Sequence, residues 1–137
     1  MKHDIFMDTS GFYALLVKRD DRHERASGIL HEAGKTGRGF STTDYILDET
    51  ATLLGARGLD HIVPGLFEIV FSSKACRLLW MDQERFDKTR HLFLKYQGQG
   101  FSFTDCFSMA VMKETGITEA LTKDGHFKKA GFTALLE

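Results

Sequence analysis

The chain has one proline, two cysteines, almost no net charge and no long apolar run. Each shortage excludes something. With one proline against twelve phenylalanines, the chain reads as a well-packed core with few rigid loops. Cys76 opens an apolar run and Cys106 opens a helix; they form no Cys-x-x-Cys pair, and no His or Cys stands near them at zinc spacing. Neither a disulfide framework nor a structural zinc is expected, and both cysteines read as buried thiols of a reducing compartment. A net charge of −1 argues against sequence-blind binding of nucleic acid through a broad basic surface, while leaving room for a basic rim around an acidic centre. No segment approaches the roughly 20 apolar residues that span a bilayer. Met1-Lys2-His3-Asp4 leads into a strand without a signal-peptide pattern, so the expected location is cytoplasmic.

What is present is an ordinary globular composition, 42% hydrophobic and 27% charged over 137 residues. A chain of this length buries roughly 68–70% of its unfolded surface. It needs no metal to fold, so any metal would be functional. With no repeat, low-complexity tract or dividing linker, residues 1–137 are expected to form one domain.

The hydrophobic pattern alternates strands and helices. Residues 3–7 read as a first strand, Ser10 to about Lys18 as a helix, and Asp20-Asp21 to about Gly34 as a second helix with Ala26, Ile29, Leu30 and Ala33 on one face. Phe40-Ser41-Thr42 is a weak strand. Asp44 to Arg57 is a helix with Ile46, Leu47, Ala51, Leu53 and Leu54 as its apolar arc, and Asp60 to Ser72 is another, starting late or kinked at Pro64. Cys76 to Met81 is a strand. Asp82 to about Gln97 is a charged helix capped by Asp82, with Phe86, Leu92, Phe93 and Tyr96 inward. Thr104 to Thr115 is a helix ended by Gly116. Ala120-Leu121-Thr122, a short helix over Gly125 to Ala130, and a strand over Phe132 to Leu136 complete the chain. This is an α/β pattern: an open parallel sheet of about five strands with helices on both faces. Sites in such sheets lie beyond the carboxyl ends of the strands.

Four acids fall at that end: Asp8 in Phe6-Met7-Asp8-Thr9-Ser10, Glu49 in Leu47-Asp48-Glu49, Asp105 in Ser102-Phe103-Thr104-Asp105, and Asp124 in Thr122-Lys123-Asp124-Gly125-His126-Phe127. Clustered carboxylates repel unless a positive group lies between them. A hard divalent cation with oxygen ligands fits, and with it metal-assisted hydrolysis of a phosphate ester. Each acid also has a local reading. Asp8 could cap the first helix. Asp105 completes a capping-box pattern with Ser102. Asp124 suits a Lys-Asp-Gly turn. Asp48 competes with Glu49, which a helical wheel favours only slightly. Lys18, Arg19, Arg22, Lys123, Lys128 and Lys129 could line a groove for phosphates, or be ordinary solvated cations.

Carried by these four motifs in order, the chain resembles PIN-domain proteins, in particular the small single-domain VapC toxin type, over essentially its whole length. The resemblance implies a Mg²⁺-dependent ribonuclease, with Mn²⁺ as an alternative ion. It implies Asp8 and Asp105 as principal metal ligands, Glu49 and Asp124 acting directly or through water, and Thr104 and Ser10 supporting them by hydrogen bonds. It also implies RNA as substrate, an antitoxin protein as partner in many relatives, and a homodimer. A binding module of the same fold that does not cut, taking RNA or a protein, is the competing reading. A receiver-type signalling domain is a third. It requires an acidic pair after the first strand, whereas Thr9-Ser10 follows Asp8, and it leaves Asp105 and Asp124 unexplained.

Overall fold

Ile5, Phe6 and Met7 are three consecutive apolar residues, all buried, and they form the middle of the sheet. A strand covered on both faces has no solvent side, so its residues need not alternate. The structure, a computed structural model, describes residues 4–137. The central strand β1 (Ile5–Met7) pairs in parallel with β2 (Phe40–Thr43) on one side and β4 (Glu119–Leu121) on the other. Beyond them lie β3 (Cys76–Leu79) and β5 (Thr133–Ala134), giving an all-parallel order β3-β2-β1-β4-β5.

The helices are α1 (Thr9–Leu16), α2 (His23–Lys35), α3 (Asp44–Ala56), α4 (Val63–Ser72), α5 (Gln83–Lys95), α6 (Phe103–Thr115) and α7 (Gly125–Lys129). The chain steps one way from β1 to β3 and the other way from β4 to β5. Right-handed crossovers then put α1–α4 on one face and α5–α7 on the other. The packing agrees: α1 contacts α2 and α3, α3 contacts α4, α5 runs along α6, and α6 touches α7. Strand order reverses between β1 and β4, and their carboxyl ends form the switch point.

One glycine sets how closely α1 approaches that point. A Cβ on Gly11 would lie 2.0 Å from the Leu121 carbonyl oxygen, so only glycine lets the first turn of α1 rest on the end of β4. Gly116, at φ +73°, ends α6 in the left-handed conformation, which glycine adopts without a Cβ clash.

The expected elements are present with shifted ends. His3 of the expected first strand lies outside the described residues. The second helix starts at His23, not Asp20, because the Asp20 carboxylate accepts the Arg22 N–H in a local turn. Residues Asp60–Ile62 form a 3₁₀ turn, and α4 begins beside Pro64, the late start that proline imposes. The last strand shrinks to Thr133–Ala134, although Leu135 N–H still donates to Ala120.

Some side chains depart from the expected faces. Phe86 is 43% exposed, since α5 packs chiefly on α6 and buries little else. Leu53 is only half-buried and faces a cleft. Cys106 is buried, but Cys76 sits on an edge strand and is half-buried. Burial pushes both thiols up to about 11, so both stay protonated at neutral pH.

Candidate functional site

At the carboxyl ends of β1 and β4 lies a cleft of about 470 Å³ whose lining includes Asp8, Glu49, Asp105 and Asp124. All four acids singled out in the sequence therefore share one cleft.

Asp8 stands directly after β1 at the start of α1, with extended backbone and no capping hydrogen bond from its side chain. The carboxylate instead reaches across the switch point. Thr122, just past β4, donates to Asp8 Oδ2 at 2.7 Å. Ser10 bridges the same groups, 3.5 Å from Asp8 Oδ2 and 3.2 Å from the Thr122 hydroxyl. The backbone N–H groups of Lys123 and Asp124 donate to the Ser10 and Thr122 hydroxyls, both at 3.0 Å. This hydroxyl network ties the ends of β1 and β4 together around one carboxylate.

Burial raises the Asp8 carboxyl from 3.8 to about 7, against the lowering effect of the Thr122 hydrogen bond; Asp105 and Glu49 add like charge that raises it further.

Asp105 is a cap that also faces the cleft. The capping box is real: Ser102 N–H donates to Asp105 Oδ2 at 3.0 Å, and Asp105 N–H donates to the Ser102 hydroxyl at 2.9 Å. Oδ1 takes no part in the box, and the residue lines the cleft. Its carboxyl is raised, first by burial and then by Asp124, while the Ser102 hydrogen bonds lower it.

Glu49, not Asp48, is the α3 acid in the cleft, where its carboxylate accepts the Thr9 hydroxyl at 2.5 Å. Asp124 caps α7, accepting His126 N–H at 2.9 Å, and its Oδ1 lies 2.7 Å from His126 Nδ1. Asp105, Asp124 and His126 place donor atoms within 4.8 Å of one another. Asp8 and Glu49 line the same cleft without joining that tight triple. Thr104 does not line the cleft and makes no side-chain hydrogen bond among the described residues. One residue along a helix is about 100° around it, which turns Thr104 away from the face Asp105 uses.

The donor set suits a hard cation. The acids offer carboxylate oxygens, and among the described residues no lysine or arginine forms an ion pair with any of the four. The hydrogen bonds that oppose the burial of Asp8 come from neutral groups. A divalent ion would supply the missing positive charge.

Of the expected cations, Arg22 and Lys123 line the cleft. Lys128 ion-pairs instead with Glu137 at 3.6 Å. The sequence reading gave no site role to Tyr13, Leu53, Arg57 or Thr122. Two of them were within reach of periodicity: Glu49, Leu53 and Arg57 recur every four residues and so share one face of a helix.

A model of the PIN domain matches residues 5–133. The 23S rRNA-specific endonuclease VapC20 of Mycobacterium tuberculosis, found in two strains, is 30% identical over 128 residues, which is 93% of this chain and 95% of the relative. The crystal structure of Mycobacterium tuberculosis VapC20, described as a sarcin–ricin loop cleaving toxin, is similar with a TM-score of 0.82. It is 28% identical and the match covers 95% of this chain and 97% of that one.

Proposed function

The chain belongs to the PIN-domain family, and from that premise we propose that it is a divalent-metal-dependent endoribonuclease of the VapC toxin type, cutting a structured loop of ribosomal RNA. The observation that carries this reading is the convergence of Asp8, Glu49, Asp105 and Asp124 on one cleft, where among the described residues no lysine or arginine forms an ion pair with them. The similarity to a 23S rRNA-specific endonuclease over 93% of the chain supports RNA as substrate.

Asp8, Asp105 and Asp124 would hold Mg²⁺ or Mn²⁺, with Glu49 acting directly or through water. Such an ion, when bound, supplies a water of lowered pKa and neutralises charge developing on the phosphate. The chain's own groups do the rest. Thr122 and Ser10 hold Asp8 in one orientation by hydrogen bonds to Oδ2. Ser102 fixes Asp105, and His126 fixes Asp124. Supporting contacts of this kind keep ligands aimed and tune their basicity. Lys123, in the lining of the cleft, offers positive charge to the RNA backbone. The toxin reading brings two protein partners with it: an antitoxin, and a second copy of the chain.

The test is cleavage of labelled 23S rRNA, a sarcin–ricin stem–loop, unrelated RNAs and DNAs, in Mg²⁺, Mn²⁺ or EDTA. The expected result is metal-dependent cutting of RNA that is abolished by Asp8→Asn and by Asp105→Asn. Cutting that survives EDTA, or folded wild-type protein that cuts no RNA, overturns the reading.

A further inference from the structure

The cleft does not end at the acids. Glu49 and Leu53 on α3, with Arg57 capping its end, form one stripe along its wall; on α1, Thr9 and Tyr13 stand four residues apart and face that stripe. The two helices meet in two rungs. In the first, Thr9 donates to Glu49. In the second, the Arg57 guanidinium carbon lies 4.9 Å from the centre of the Tyr13 ring. Eight residues of helix separate Glu49 from Arg57, a rise of about 12 Å. The second rung therefore stands about two helical turns from the acids along the same groove.

Arg57 is exposed, and among the described residues its side chain has no hydrogen bond or ion pair; the Tyr13 ring is its partner. The contrast with Arg85, Arg90 and Arg22 is direct. Arg85 is spent on Glu114 and the Trp80 carbonyl, Arg90 on Asp87, and Arg22 on the Leu136 carbonyl. Arg57 keeps all five N–H donors available while the ring limits where they point. Tyr13 and Arg57 also line a second groove of about 450 Å³, together with Arg19, so the rung is the wall shared by the acidic cleft and its continuation. Asp20 lines both grooves, with one carboxylate oxygen taken up by the Arg22 N–H.

We propose that Tyr13 and Arg57 form a nucleotide-binding rung that holds the RNA strand beside the scissile phosphate. Arg57 donates to a flanking phosphate, and an unstacked base packs against the Tyr13–Arg57 pair. The inference rests on the ribonuclease reading and assigns the substrate contacts of that site. A guanidinium held against a ring loses little rotamer freedom on binding and matches phosphate oxygens in its fork. Unstacked RNA bases pack on aromatic and guanidinium faces without strong sequence preference. On a chain of net charge −1 the backbone must be met by cations placed locally, and this one follows the acids along the groove.

Binding is measured by fluorescence anisotropy with a labelled sarcin–ricin stem–loop in an Asp105→Asn background, where cutting is blocked. Adding Arg57→Ala should raise Kd about tenfold and make the plot of log affinity against log salt shallower by about 0.7, the loss of one single-strand phosphate contact. Arg57→Lys should keep the salt slope and recover part of the affinity. Tyr13→Leu should weaken binding while Tyr13→Phe does not. Melting temperatures should stay at the parent value, which separates a substrate contact from a purely structural role. In otherwise wild-type protein, Arg57→Ala should raise KM and leave kcat nearly intact. Unchanged Kd and salt slope in Arg57→Ala overturn the rung while cutting by wild type leaves the nuclease reading standing. Wild type that neither binds nor cuts RNA overturns both.

Discussion

Asp8 concentrates the physical tension of this molecule. A carboxylate buried beside Asp105 and Glu49, with hydroxyl and backbone partners, is more stable protonated than it would be in water, and its pKa stands at about 7 instead of 3.8. Between those values the folded chain holds a proton that the unfolded chain has released. Stability from this group is therefore complete below about pH 4 and is lost as pH rises through 7. Three pH units correspond to about 4 kcal/mol as an upper figure. Metal-free wild type is expected to lose melting temperature from pH 4 to pH 7.5 relative to Asp8→Asn, in which this titration is gone. Comparing the two cancels groups of opposite sign, such as Glu114, which Arg85 holds below the usual carboxylate range. Parallel curves for the two proteins would show that Asp8 is not the source. The same residue marks a limit of sequence reading. Its capping role was a fair alternative, and only the Thr122 hydroxyl, 114 residues away, shows where the carboxylate points.

At the scale of elements, the approach of α1 to β4 decides whether that hydroxyl network can form. Gly11→Ala places a Cβ 2.0 Å from the Leu121 carbonyl oxygen, and backbone on both sides would have to move. The expected cost is about 3 kcal/mol, at the upper end of overpacking penalties, with a matching fall in the urea midpoint and loss of RNA cutting. Gly28 on α2 is the control: a Cβ there meets nothing within 4 Å, so Gly28→Ala should stabilise by about 0.8 kcal/mol. If both alanines behave alike, close packing of α1 is not what holds the site. The helix ends were readable beforehand for local reasons. Asp82 caps α5, Ser102 and Asp105 form their box, and Gly116 stops α6. Caps depend on residues three or four positions apart, and a single sequence displays those directly. The starts of α2 and α4 moved because a side-chain turn at Asp20 and a 3₁₀ turn at Asp60 compete with helix over the same residues.

For the whole molecule, a five-stranded parallel sheet brings to its switch point a cluster of acids with which, among the described residues, no lysine or arginine forms an ion pair. A ligand that binds only the folded state stabilises it by about 2.7 kcal/mol at 100 times Kd. Mg²⁺ or Mn²⁺ should therefore raise the melting temperature of wild type at pH 7.5, and raise it much less in Asp105→Asn. Equal shifts in the two proteins would place the ion elsewhere. The order of elements, the parallel α/β sheet and the position of the four acids at one end of it were legible in the sequence. Hydrophobic period and turn residues encode strand and helix locally, and an alternating chain has few right-handed ways to close. What faces each helix was not legible, because period states which side is apolar and not what lies opposite. Phe86 is exposed for that reason, and Leu53 lines the cleft. The sequence by itself determined the elements, their caps and the acids carried to the switch point. Only the tertiary structure decided that Thr122 holds Asp8, that Thr104 stands outside the cleft, that Arg57 rests on Tyr13, and that one carboxyl titrates near neutrality. Those properties depend on burial and on contacts between residues far apart in the chain, which exist only once the sheet has closed.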